Sequence, residues 1–344
     1  MCHTFCTFIP PHMMNHIART SATDSRDPSP AQRTALVSQQ IREERQAAPL
    51  DLGVLAAVAA KADREIYDDQ NTWNFDVSLA RSEGGPPHAD QGVNQAYDGA
   101  GATSEFFRQI LNREGADGAG VNINCNVNFG VAFNNAFWDG TRLVFGNGDE
   151  VIFTDFTKDL DVIAHEFTHG VTQYTANLVY HSQSGALNEA MSDALASAVQ
   201  QHAMNQDAGD ANWLIGDGVM SEGLYGEAIR SMASPGTAYD NPILGKDPQP
   251  AHMDDYYSGP ADNQGVHINS GIINKAFYLT ALDLGTPGAA QIWYAALQNL
   301  WPLAVFTDFA TVAAAQARIL ARDQVVERQA PQTVRAAFRE VGVI

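Results

Sequence analysis

Apolar and polar positions change their period about halfway along the chain. In VNINCNVNF (121–129), Val121, Ile123, Cys125, Val127 and Phe129 alternate with asparagines. A period of two puts the two sets on opposite faces of a half-buried strand. Asp139-Gly140 and Asn147-Gly148, each flanked by apolar runs, are hairpin turn signals. Residues 66–155 therefore read as β, with an antiparallel sheet as the natural arrangement. From about residue 157 the period lengthens. DVIAHEFTHGVTQYTA (161–176) reads as a helix with Val162, His165, His169 and Thr172 on one face. GALNEAMSDALASAVQQHAM (185–204) reads as a second helix, followed by a loop-rich stretch over 205–265. INSGIINKAFYLTALDL, AAQIWYAALQNL, DFATVAAAQARILA and PQTVRAAFREV continue the helical pattern. The chain is expected to be α+β, a β-rich half followed by a helical half, with the first helix near the junction.

The opening residues have another character. SATDSRDPSP (21–30) reads as a linker, and helix-like segments follow at about 32–45 and 51–67. Nothing there resembles a catalytic constellation, which suggests a detachable leader. The start, MCHTFCTFIPPHMMNHIART, has its one apolar tract interrupted by Pro10 and Pro11. It lacks the basic, apolar and small-residue regions of a standard export signal, so a cytoplasmic location is the default expectation and non-standard secretion the alternative. Across 344 residues the formal net charge is −20. A surface that acidic repels nucleic acid and anionic membranes, so neither is expected as a partner. Cys2, Cys6 and Cys125 are too few, and odd in number, for a disulfide framework; Cys125 reads as a buried thiol.

The chemistry gathers at His165-Glu166-Phe167-Thr168-His169. Histidines four apart stack on one helix face and can reach one metal ion. Zinc takes such nitrogen ligands and, in catalytic sites, keeps one position for water. The ion would lower the pKa of that water from about 15.7 to about 7, and Glu166, offset around the helix, would take the proton. Twenty residues past His169 stands Glu189, with Asp193 on the same face of the second helix. Their neighbours Ala186, Leu187, Ala190, Met191, Ala194 and Leu195 mark that helix as buried, where an unpaired carboxylate is costly. Glu189 as the third ligand, and Asp193 accepting the free N–H of a ligand histidine, would resolve that cost.

NNAFWDG (134–140), DVIAHEFTHGV (161–171), SGALNEAMSD (184–193), LYGEAIRSM (224–232) and DNQGVHINSGIINKAFYL (262–279) stand in an order that resembles the thermolysin family of metallopeptidases from about residue 66 onward. The resemblance implies a two-lobed zinc endopeptidase with its cleft between a β-rich lobe over 56–178 and a helical lobe over 179–344. It implies that His267 and Tyr180 donate to the developing oxyanion and that Asp262 orients His267. Asn135 and Ala136 would form the edge on which an extended substrate adds. Arg230 would clamp a substrate carbonyl. Phe153, Phe156, Val162, Ile215 and Ile229 would line the apolar pocket for the residue after the cut, although ordinary core packing is an equal reading for them. Asn188 would support the metal ligands alongside Asp193. The family's double calcium site keeps Asp161 and Asp217, but Gln200, Asn212 and Leu214 stand where acids are expected, so that site should be absent or weak.

Phe8-Ile9-Pro10-Pro11 resembles the leader motif of the protealysin-like branch, which implies an inhibitory prosegment over residues 1–55. One reading has Cys2 or Cys6 capping the zinc as a thiolate; the plainer one leaves both as incidental. Two rival functions remain at this point: a non-catalytic zinc-binding interaction module, and a zinc aminopeptidase.

Overall fold

The computed structural model describes residues 6–21, 27–47 and 62–344. The expected α+β architecture is found. Six strands form one sheet: β1 (Cys6–Thr7), β2 (Arg64–Asp68), β3 (Ser78–Ser82), β4 (Ile123–Val127), β5 (Ala136–Trp138) and β6 (Leu143–Phe145), in the order β1-β5-β6-β4-β2-β3. Helices α1 (Pro11–Thr20) and α2 (Pro30–Ala47) lie in the N-terminal segment expected to be a leader, and α3 (Gln91–Leu111) links β3 to β4. The second half carries α4 (Leu160–Gln173), α5 (Ser182–Ala203), the short pair β7 (Leu214–Ile215) and β8 (Arg230–Ser231), then α6 (Ala261–Leu284), α7 (Thr286–Leu297), α8 (Phe306–Arg322) and α9 (Ala330–Glu340).

Three expectations are corrected. The sheet is mixed, because β2 runs parallel to β4 and β4 parallel to β6. Parallel neighbours need a long crossover, and α3 supplies the one from β2 to β4. That helix lies inside the stretch read as β. The Asp90 carboxylate caps it, accepting from the Gly92 N–H at 2.7 Å, and Asn112 ends it in the left-handed region at φ 51°. The helix expected near 51–67 is the third correction: residues 48–61 lie outside the described ones, and Arg64–Asp68 is a strand. Asp139-Gly140 does turn β5 into β6, whereas Asn147-Gly148 opens a loop in which the Gly148 N–H donates to the Phe133 carbonyl.

The main core runs from α1 (Met13, Met14, Ile17) through the inner sheet face, where Cys125 is fully buried, into the helical half. A smaller aromatic core of Phe129, Phe133 and Phe137 has Val37 and Ile41 of α2 packed over it. α4 and α5 lie side by side, and α6 packs against α5. α6 opens with a left-handed turn: φ is 56° at Asp262, 48° at Asn263, 63° at Gln264 and 81° at Gly265. Such a turn costs roughly 1–2 kcal/mol per non-glycine residue. It returns the Asp262 carboxylate to cap the helix, where Oδ2 accepts from the His267 N–H at 2.7 Å. Among the described residues no helix is long and apolar enough to cross a membrane.

Candidate metal centre

Helix α4 begins where the Asp159 side chain accepts from the Asp161 N–H, and its Leu160–Gln173 span brings His165 and His169 one turn apart. Helix α5, packed alongside, presents Asn188, Glu189 and Asp193 to them. All five side chains are buried. His165 Nδ1 lies 2.8 Å from Asp193 Oδ1, and His169 Nδ1 lies 2.9 Å from Asn188 Oδ1. A carboxylate and an amide oxygen can only accept, so both rings carry their proton on Nδ1. On two neutral imidazoles the Nε2 lone pairs would then face each other at 3.0 Å. Glu189 stands 3.5 Å from each of them, and its Oε2 is buried without a hydrogen-bond partner. Two opposed lone pairs and an unsatisfied carboxylate oxygen form a donor set that a divalent cation completes, and N,N,O ligation suits zinc.

A single proton can take the place of that cation between the two Nε2 atoms, and the electrostatics put it on His165. Burial works against charge on His165, but Asp193 and Glu189 outweigh it and raise its pKa to about 9. Burial, with His165 close by, pushes His169 down to about 3 despite the pull of Glu189. Burial opposes ionisation of Glu189 as well, yet His267 and His169 hold it well below the usual carboxylate range. Glu166 is also fully buried, and neither of its oxygens has a hydrogen-bond partner. Burial pushes its pKa up to about 8, with His165 and the Trp138 backbone only partly offsetting it.

His267 reaches the same place from α6. Its Nδ1 lies 2.6 Å from Asp262 Oδ1 and its Nε2 3.1 Å from the Tyr180 hydroxyl. That hydroxyl also donates to Glu189 Oε1, so Tyr180 touches the carboxylate as well as His267. Arg230 is buried, with Nε and Nη2 on Asp193 at 2.7 and 2.8 Å. Phe153, Phe156, Val162, Ile215 and Ile229 are all buried in the main core. His267, Tyr180 and Arg230 thus converge on the residues around His165, His169 and Glu189, while burial in the core is what the structure shows of the five apolar residues.

The N-terminal segment fills the space between them. β1 pairs antiparallel with β5, Cys6 opposite Trp138 and Thr7 opposite Phe137. The Phe8 N–H donates to the Ala136 carbonyl at 3.0 Å, and the Ile9 N–H to Asn135 Oδ1 at 2.9 Å. Arg230 Nη1 donates to the Phe8 carbonyl at 3.1 Å, while His267 Nε2 lies 2.9 Å from the Thr7 carbonyl oxygen. The Phe8 ring meets His165 and Phe156 edge-on.

Several contributors escaped the sequence reading. Asn274 donates to Asp193 Oδ2 at 2.8 Å, and Gln249 donates to the His267 carbonyl at 2.8 Å. Asn274 follows His267 by two helical turns, so its position on the same face was the available signal. Asp159 joins Asp161 and Asp217 in a carboxylate trio whose oxygens lie within 4.8 Å of one another. Burial and then Asp217 raise Asp159 to about 6, and burial and then Asp159 raise Asp161 well above the usual range.

Known proteins place this geometry. The family described as thermolysin metallopeptidase, catalytic domain, matches residues 31–173, and its alpha-helical domain matches 176–343. An extracellular metalloprotease of Pectobacterium carotovorum subsp. carotovorum is 42% identical over 84% of this chain and 83% of its own length. Thermolysin of Alicyclobacillus acidocaldarius subsp. acidocaldarius is 36% identical over 74% of this chain and 46% of its own length. The precursor of protealysin, a metalloproteinase from Serratia proteamaculans, superposes with a TM-score of 0.86 at 38% identity, covering 98% of this chain and 100% of that one. The cytoplasmic expectation is overturned here. A relative this similar bears the name extracellular metalloprotease, so the lack of a standard export tract does not place the chain inside the cell.

Proposed function

The chain belongs to the thermolysin family of metallopeptidases and is a zinc metalloendopeptidase, and on that premise we propose how its residues divide the work. His165, His169 and Glu189 hold the zinc; the opposed Nε2 atoms at 3.0 Å are the observation that carries this. Asp193 and Asn188 fix both imidazoles from behind. The bound ion supplies Lewis acidity to a water and to the scissile carbonyl. Glu166, free of hydrogen-bond partners, takes the proton from the attacking water and passes it to the leaving amine. His267, held by Asp262, and Tyr180 donate to the carbonyl oxygen as charge develops on it.

An extended substrate adds to the edge of β5 through Ala136 and Asn135, and Arg230 grips the carbonyl of the residue after the cut. The side chain of that residue enters a pocket of Phe153, Phe156, Val162, Ile215 and Ile229, which favours bulky apolar groups. What supports this is the leader, whose Phe8 meets Phe156 and hydrogen-bonds Ala136 and Arg230. Residues 1–55 form an inhibitory prosegment, ahead of a β-rich lobe over 56–178 and a helical lobe over 179–344. Calcium plays little part. The trio of Asp159, Asp161 and Asp217 already accepts from the Gly218 and Gly216 N–H groups and from Asn212. Those bonds compete for the oxygens, and Gln200, Asn212 and Leu214 leave fewer charges than the expected acids would bring.

A chelator should abolish hydrolysis of an N-terminally blocked peptide by the processed protein, and zinc should restore it. Glu166→Gln should keep one zinc per chain and lose nearly all turnover. Retained turnover in that variant would end the assignment, and failure on blocked peptides alone would indicate an aminopeptidase.

A further inference from the structure

The leader lies in the cleft much as a substrate would. The Thr7 carbonyl faces His267, the Phe8 N–H is on Ala136, and the Phe8 carbonyl is on Arg230. This sets the Thr7–Phe8 peptide bond where the proposed mechanism would cut. Removing the attacking water would protect an inhibitor seated in this way.

Cys6 is placed to do so. It is fully buried, packed against Tyr180 and Val266, one residue before Thr7. Its sulfur and the ligating atoms of His169 and Glu189 all lie within 4.8 Å of one another. Glu189 Oε2, 3.5 Å from His165 Nε2 and 3.6 Å from His267 Nε2, is buried and without a hydrogen-bond partner. Zinc binds thiolates at about 2.3 Å; four protein ligands make a closed structural site, and three with a water make a catalytic one. We infer that Cys6 is the fourth zinc ligand of the leader-closed chain, its thiolate standing where the attacking water must sit. This rests on the zinc centre proposed above. As the zinc–sulfur bond forms, the thiol proton leaves to solvent. When the leader departs, a water takes the vacated position and the thiolate regains a proton. No electrons are transferred in either step. One chain thereby alternates between a closed and an open site.

The test uses the full chain carrying Glu166→Gln, so that the leader stays attached, with cobalt(II) in place of zinc. A thiolate-to-cobalt charge-transfer band should be present, lost in Cys6→Ser, and kept in Cys2→Ser and Cys125→Ser. X-ray absorption of the zinc form should show one sulfur at about 2.3 Å. Should Cys6→Ser fail to fold, the combined Cys2→Ser and Cys125→Ser chain, with Cys6 as its single thiol, must keep both signals. Metal bound by nitrogen and oxygen alone overturns the inference and spares the zinc centre, as does a band that persists in Cys6→Ser. A chain that takes up no metal overturns both.

Discussion

Shortening Phe8 to alanine should open the cleft of the uncut chain by about two orders of magnitude. The ring is fully buried, 6.5 Å from Phe156 and 5.3 Å from His165 between centroids, with the Arg230 guanidinium 4.9 Å from its centre. Truncating a buried phenylalanine costs about 3–5 kcal/mol, of which transfer to water alone is about 1.5–3 kcal/mol. The backbone bonds to Ala136 and Asn135 survive the change, and a leader segment can shift to relieve part of the void. The lower bound of about 3 kcal/mol therefore applies, which at about 1.4 kcal/mol per tenfold is about a hundredfold. Only molecules with the leader out of the cleft can cut a short blocked fluorogenic peptide. The initial rate of the intact chain thus reports the open fraction, and mass spectrometry before and after each run verifies that the leader is still attached. The rate should rise about a hundredfold, while the processed forms of both chains share one kcat/KM. A rise below about threefold, roughly 0.7 kcal/mol, would show that the pocket contact does not hold the leader.

Acid should loosen the leader through His12. Burial lowers its pKa from 6.5 to about 4, with Asp262 opposing and His267 and Arg230 adding to the shift; its Nδ1 is buried without a partner, and its Nε2 lies 3.1 Å from the Tyr239 hydroxyl. The released leader binds more protons, so this contribution to docking is full above pH 6.5 and is lost as pH falls toward 4; the open fraction should rise more steeply in the wild type than in His12→Gln. Asp193→Ala should destabilise the fold by about 3–5 kcal/mol, read as a fall in the denaturation midpoint, because it strips a buried Arg230 of its partner. A loss below about 1 kcal/mol would contradict the burial argument. Gly216→Ala would bring a methyl within 2.7 Å of Ile229 and 2.8 Å of Phe8, at a φ of +74°. In the processed enzyme, the kcat/KM ratio for phenylalanine over alanine after the cut should fall by about tenfold.

The proposed metal ligands were legible because their spacing is a helical fact. His165 and His169 need a turn between them, and Glu189 with Asp193 needs another on a helix too apolar to face water. The mixed sheet was not legible, and for the same reason α3 was not. QGVNQAYDGAGATSEFFRQIL carries glycines at 92, 99 and 101, which lower helix propensity. Neighbouring side chains close over two of them: a Cβ at Gly99 would lie 2.4 Å from the end of Ile163 and one at Gly101 2.2 Å from the end of Arg64, so either side chain would have to move. Without that helix there was no crossover, and the strands were read as antiparallel. α1 was missed although Pro11 stands in its first turn and Met13, Met14 and Ile17 line one side. Its first buried contacts come from a distant part of the chain, which a local pattern does not carry. Arg230 read as a clamp for substrate alone, because its second partner, Asp193, is 37 residues away.

That double attachment makes Arg230 a lever. One edge of the guanidinium is bolted to the carboxylate that aims His165, and the remaining nitrogen holds whatever backbone carbonyl occupies the groove. A tighter grip on the occupant steadies the imidazole, and by thermodynamic reciprocity a loaded ion tightens the occupant by the same factor. Stripping the ion should then slacken the tether, read as faster release of the leader from the metal-free chain than from the zinc-loaded one.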